Sequence, residues 1–164
     1  MRTIIQWGLL GVCMAMLPSA LQAQPLLSES QPQWEFATKD ETVTITKYVG
    51  AGGAVTIPGT INGLPVVNIG EKAFFQCTNL TSVTVPISVT RVGAYAFGLC
   101  NKLLGVYFMS NAPSLGEAVF FKDDQLTVYY LPGTTGWDQQ CGDRPTAKWN
   151  QADPSDAAGG RPSK

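Results

Sequence analysis

The chain repeats itself every 23 residues, and that period limits the folds open to it more than any other feature. Ile69-Gly70-Glu71-Lys72-Ala73-Phe74-Phe75-Gln76-Cys77-Thr78-Asn79-Leu80 lies over Val92-Gly93-Ala94-Tyr95-Ala96-Phe97-Gly98-Leu99-Cys100-Asn101-Lys102-Leu103 at that offset. A third line, starting at Leu115-Gly116, keeps Phe120 and Leu126 in the same places. The β-branched runs that follow line up as well: Val83-Thr84-Val85-Pro86, Val106-Tyr107-Phe108-Met109 and Tyr129-Tyr130-Leu131-Pro132. Val55-Thr56-Ile57-Pro58 joins them if five residues around Asn62-Gly63-Leu64 are an insertion. One such coil cannot bury its own apolar side, but stacked coils can, because each repeated apolar position becomes a ladder inside a solenoid. The expected ladders are Ile69/Val92/Leu115, Phe74/Phe97/Phe120, Leu80/Leu103/Leu126, Val83/Val106/Tyr129 and Val85/Phe108/Leu131.

The predicted fold is mainly β with short helical turns: a solenoid of about three to four coils over residues 54–132. The β-branched runs read as strands. The Gly-x-x-Ala-Phe segments read as a turn or one helical turn. Gly70, Gly93 and Gly116 would free the backbone there, and Ala73 and Ala96 are small where the turn approaches the coil. A solenoid exposes its core at both ends unless capped. Residues 34–53 are expected to form the N-terminal cap, a hairpin in which Lys39-Asp40-Glu41 turns the chain and Val43, Ile45 and Lys47 alternate with Thr44, Thr46 and Tyr48. Residues 133–150 are expected to form the C-terminal cap, with Trp137 and Trp149 folding back over the last coil.

The string AVTIPGTINGLPVVNIGEKAFFQCTNLTSVTVPISVTRVGAYAF resembles the BspA-type leucine-rich-repeat family, whose repeats read Leu-x-x-Val-x-Ile-Pro and then Val-x-x-Ile-Gly-x-x-Ala-Phe-x-x-Cys. The resemblance spans about residues 43–149. It is sharp in the two central repeats and weaker in the third, where Asp123 stands in place of Cys and Val119 in place of Ala. It implies a β-rich leucine-rich-repeat solenoid. It also implies a bacterial exported or surface protein with a role in adhesion or host contact.

The N-terminal residues point to export independently of that resemblance. Arg2, the apolar run Ile4–Leu17 and Leu21-Gln22-Ala23 read as a secretory signal peptide over residues 1–23. The apolar run is shorter than the roughly 20 residues that a spanning helix needs. The expected location is periplasmic, secreted or at the cell surface, with no membrane contact after signal cleavage. Residues 24–33 read as a flexible lead and 151–164 as a disordered polar tail. Cys77, Cys100 and Cys141 remain after cleavage, an odd number. Cys77 and Cys100 share one column, either as core thiols or as a strained bridge. Cys141 is left over, and self-association through it is one expectation about partners.

Chemistry is scarce in this sequence. It contains no histidine, which removes the usual nucleophile–base pairs and the commonest zinc ligand. Net charge is −1 with no basic cluster, so a nucleic acid partner is not expected. No cofactor, metal site or catalytic residue is expected. Asp123-Asp124 is an adjacent acidic pair, and neighbours in a turn point apart. A polysaccharide-acting enzyme built on scattered carboxylates (Glu71, Glu117, Asp123, Asp124) is the least favoured reading. The candidate binding residues lie on an outward column of the strands, because alternate strand residues face away from the core. That column reads Thr56, Thr84, Tyr107, Tyr130, and the binding candidates are Thr84, Tyr107 and Tyr130. A second outward column reads Asn68, Arg91, Ser114. The expected function is an exported, non-enzymatic binding or adhesion module that offers a sheet face to a protein or glycan. A self-assembling structural protein is the alternative.

Overall fold

The computed structural model describes residues 33–149. The expected signal peptide, the lead up to residue 32 and the tail from residue 151 lie outside the described residues. Among the described residues there are twelve strands and no helix. They are β1 (Trp34–Lys39), β2 (Thr42–Tyr48), β3 (Gly53–Thr56), β4 (Thr60–Ile61), β5 (Leu64–Ile69) and β6 (Leu80–Val85), followed by β7 (Arg91–Val92), β8 (Gly105–Phe108), β9 (Ser114–Leu115), β10 (Thr127–Tyr130), β11 (Gln140–Cys141) and β12 (Arg144–Lys148).

Each coil gives one strand to each of two sheets. The first sheet runs β1-β2-β5-β7-β9, with β4 paired to β5. The second runs β3-β6-β8-β10-β12-β11. Strands of successive coils are parallel, as stacking of one repeat on the next requires. The hairpin β1–β2 turns at Asp40 and Glu41, both left-handed (φ 49° and 57°). The five-residue insertion is the hairpin β4–β5, turned by Asn62 and Gly63 (φ 52° and 80°). That is the residue pair and conformation a two-residue hairpin loop favours. Val55 then pairs with Val83, the register that the insertion implies.

The Gly-x-x-Ala-Phe segments are turns and not helical turns, because every second backbone N–H runs to the next coil while those between, such as Phe75 and Cys77, close single turns onto the carbonyls three residues back. The N–H groups of Lys72, Phe74 and Gln76 donate to the carbonyls of Ala94, Ala96 and Gly98 one coil on. Those of Tyr95, Phe97 and Leu99 donate to Glu117, Val119 and Phe121. A helix would need these donors for its own carbonyls. Each turn holds two left-handed residues at matching positions: Lys72, Tyr95 and Ala118, then Gln76, Leu99 and Lys122. The repeat glycines have a different role from the one read in the sequence. None of Gly70, Gly93 and Gly116 is left-handed. A Cβ on Gly93 would lie 2.5 Å from the Glu71 backbone nitrogen, and one on Gly116 would lie 2.4 Å from that of Ala94. The glycines are there because successive coils touch backbone to backbone.

The core is a set of ladders. Phe74, Phe97 and Phe120 stack with centroid separations of 4.8 and 5.8 Å. Tyr48 continues the ladder upstream at 5.3 Å from Phe74, and Trp34 lies against both rings. Tyr48 is therefore the buried residue at the end of β2, while Lys47 is exposed, opposite to simple alternation. Downstream the ladder stops at the β11–β12 turn, where a Cβ on Gly142 would meet Phe120 at 2.9 Å. Trp137 closes the other half of that end, 5.2 Å from both Phe108 and Tyr130. Trp149 does not join it and lies on the outward face of the second sheet, against Tyr107.

Candidate functional site

The outward face of the second sheet is built by strands that place equivalent residues side by side. Thr56 pairs with Thr84, and Thr84 with Tyr107. The next residue in this column is Tyr129, not Tyr130. Tyr130 pairs with Phe108, in the column that the sequence assigned to Leu131, and stacks on Trp137 with an interplanar angle of 7°. Val128, not Tyr129, pairs with Val106. The cause is a missing residue. Leu103 and Val106 are three positions apart, whereas Leu126 and the equivalent Val128 are two apart. A slip of one residue exchanges the faces of a strand. The signal was available in the sequence: Val128 matches Val83 and Val106 in kind, and Tyr129 does not.

Of the predicted binding residues, Thr84 and Tyr107 are therefore neighbours and Tyr130 is removed from them. Tyr129 and Trp149 take its place. The Tyr107 and Tyr129 rings are nearly parallel, 9° apart with centroids at 4.7 Å. Trp149 meets Tyr107 edge-on at 5.0 Å. Its placement follows from β12, which pairs with β10, and from a bond in which the Trp149 N–H donates to the Tyr130 carbonyl. Beside this aromatic wall is an open space of about 200 Å³, bordered by Ala54, Thr56, Ser82, Thr84, Tyr107 and Trp149. Among the described residues, no charged side chain borders it.

The other candidates separate in space. Asn68, Arg91 and Ser114 do pair across β5, β7 and β9, as a polar column on the first sheet. Asp123 and Asp124 diverge: Asp124 is exposed and accepts from Arg144 Nη1 at 3.0 Å, while Asp123 is 2% exposed. Neither Asp123 oxygen has a hydrogen-bond partner in good geometry. Burial pushes its carboxyl up to about 7, and the nearby Cys100 amide and Arg144 guanidinium offset only part of that shift. Cys77, Cys100 and Cys141 are free thiols. Cys100 donates to the Phe74 carbonyl at 3.1 Å, and burial, then the charge of Asp123, hold its thiol far above the ordinary range. Burial also raises Cys77, and raises Cys141 to about 11, so neither is an activated thiolate at neutral pH. Among the described residues, no group of three or more Cys, Asp and Glu side chains could hold a metal ion.

Residues 55–139 match the sequence model of the BspA type leucine rich repeat region, in six copies. Similar solved structures include a leucine-rich cell surface protein from Faecalibacterium prausnitzii. It is 34% identical with a TM-score of 0.54, and the match covers 60% of this chain and 28% of that one. A leucine-rich repeat protein from Bacteroides capillosus is 33% identical with a TM-score of 0.41, covering 60% of this chain and 67% of that one. A leucine-rich repeat protein of T. pallidum is 24% identical with a TM-score of 0.45, covering 59% and 68%. The chain thus spans less than a third of the F. prausnitzii protein. No curated protein matches it.

Proposed function

Since this chain belongs to the BspA-type leucine-rich-repeat family, we propose that it is an exported, non-enzymatic binding module whose ligand face is the outward surface of the second sheet. The observation that carries this reading is the Tyr129–Tyr107–Trp149 wall standing beside the short hydroxyl side chains of Thr56 and Thr84. Five parallel-paired strands hold that face rigid, so a ligand orders few protein groups when it binds. Aromatic rings with an apolar body and a polar tip are the side chains that most often anchor a partner. Export is supported by the leader-like residues 1–23 and by similarity to a protein described as lying on a cell surface. The non-enzymatic reading is supported by the absence of histidine from the chain and by the divergence of Asp123 and Asp124.

The test is a panel of polysaccharides and extracellular matrix proteins presented to the protein purified after export. A Tyr107→Ala/Tyr129→Ala double variant and a Tyr130→Ala variant are compared with it once circular dichroism shows that each folds. Capture of a ligand that the double variant loses and Tyr130→Ala retains is the expected result. Equal binding by all three would remove this face as the site.

A further inference from the structure

We propose that the β11–β12 hairpin is a pH-gated cap, closed over Asp123 while that carboxyl holds its proton and opening more readily once the proton leaves. The inference is independent of the binding reading above. The first argument is position. Asp123 lies in the third of the three matching turns, in the column that holds Cys77 and Cys100 in the coils before it. The coil beneath is fixed. The Phe97 and Leu99 N–H groups donate to the Val119 and Phe121 carbonyls, and Phe97 stacks on Phe120. On the downstream side the hairpin takes the place of a further coil. A Cβ on Gly142 would meet Phe120 at 2.9 Å and Leu115 at 3.3 Å, so the hairpin turn is seated on the end of the coil. Arg144, at the start of β12, donates to Asp124, the neighbour of Asp123, at 3.0 Å. Asp123 is 2% exposed, and the hairpin is the described element that lies over this end.

The second argument is chemistry. Both Asp123 oxygens are buried without a hydrogen-bond partner in good geometry, and so is Arg144 Nε. The closed hairpin therefore holds acceptors and a donor of opposite charge that do not meet, and such a carboxyl tolerates a proton far better than a charge. Around it, Cys100 lies in the coil beneath and Cys141 on the hairpin, and burial keeps both thiols protonated at neutral pH. Lys122 is turned over the Phe121 ring at 5.4 Å, Asp124 accepts from Arg144, and Asp143 is exposed at the hairpin turn. With the hairpin closed the Asp123 carboxyl stands at about 7, against an ordinary 3.8. The closed form is therefore favoured at low pH and loses that advantage as pH rises through this window. Water relieves the ionised carboxylate, and the hairpin is the element that yields to admit it. β11 pairs with β12 at two positions, and Gln140, Asp143 and Pro145 are exposed. The ion pair that pins it is screened, because the Asp124 side chain is 84% exposed. Opening also uncovers the downstream side of Phe120.

The experiment is amide hydrogen exchange read by NMR on the whole exported protein, in reducing buffer at pH 5 and pH 8, corrected for the intrinsic exchange rates. The Gln140, Cys141 and Arg144 amides report the hairpin, and those of Val83 and Val106 report the second sheet. Hairpin protection should fall about a hundredfold from pH 5 to pH 8, as follows for a carboxyl at about 7 when closed and 3.8 when open. Low concentrations of urea should leave hairpin exchange unchanged, because a local opening exposes little surface. Asp123→Asn keeps the shape and cannot ionise, so it should remove the pH dependence. Asp123→Cys should do the same if the amide disturbs folding. Constant hairpin protection at the two pH values, or a pH dependence that survives in both variants, would overturn the gate. Hairpin protection equal to that of Val83 and Val106 would also overturn it, since the opening would then be global unfolding. Protection that rises with pH would mean that Arg144 closes on the ionised carboxylate, the opposite of a gate.

Discussion

Asp123 is the residue where the repeat pattern and the chemistry disagree. Its column holds Cys77 and Cys100 in the earlier coils, and a thiol tolerates that buried place as a small hydrophobe. A carboxylate does not. Its folded value of about 7 against an ordinary 3.8 means that between those pH values the folded protein keeps a proton that the unfolded chain has released. Stability therefore falls as pH rises from about 4 to about 7 and stays lowered above that. Asp123→Cys, under reducing conditions, should stabilise the protein by about 4 kcal/mol at pH 8, and the gain should largely vanish near pH 4. Urea unfolding at the two pH values checks this, and an equal gain at both would place the cost of Asp123 outside its ionisation. Gly93 poses the opposite problem, since its backbone angles suit other residues but its surroundings do not. Gly93→Ala should cost about 1–3 kcal/mol, because the clash is with the Glu71 backbone and no side chain can swing away. Thermal unfolding of the variant measures it.

At the scale of elements, two hairpins close what the repeats leave open. Trp34 and Tyr48 of β1–β2 cover the upstream face of Phe74, and the β11–β12 turn lies against Phe120. Trp137 covers Phe108 and Tyr130 at the downstream end. Trp137→Ala should cost about 3 kcal/mol, in the range for a large aromatic removed from a packed site. Amide hydrogen exchange should then speed up in β10 and β12 well before β2 and β5, since stability in a repeat array is largely a nearest-neighbour sum. Uniform acceleration in all four strands would show that the coils unfold as one unit. The strand β10 also shows how far pattern reading carries. Its existence and its aromatic content were plain in the sequence, but its facing was not. A constant 23-residue period misplaces its faces, because the third coil reaches its strand one residue early.

For the whole molecule the period itself is testable. Deleting residues 92–114 removes one full repeat and brings Arg91 before Leu115, so that every column stays in phase. That protein should fold with a lower midpoint of unfolding, because about three repeats are the minimum for stability. Deleting 92–113 puts the next strand out of phase by one residue, which turns its apolar side chains outward, and that protein should not fold. Circular dichroism melting of the pair decides between a fold set by column phase and one set by composition. What the sequence determined by itself was the repeat: its 23-residue length, the Phe and Leu ladders, the five-residue insertion and the mainly β character. All of these follow from which side chains must leave water, and a periodic pattern states that directly. The tertiary structure decided the rest. It gave the donors of the Gly-x-x-Ala-Phe turns to the next coil instead of a helix, exchanged Tyr130 for Tyr129 on the outer face, and brought Trp149 across from β12 to Tyr107. The first and last of these depend on which backbone lies beside which, and a pattern along one chain does not carry that information; the exchange of tyrosines had a trace in the short Leu126–Val128 spacing, which the strand pairing made decisive.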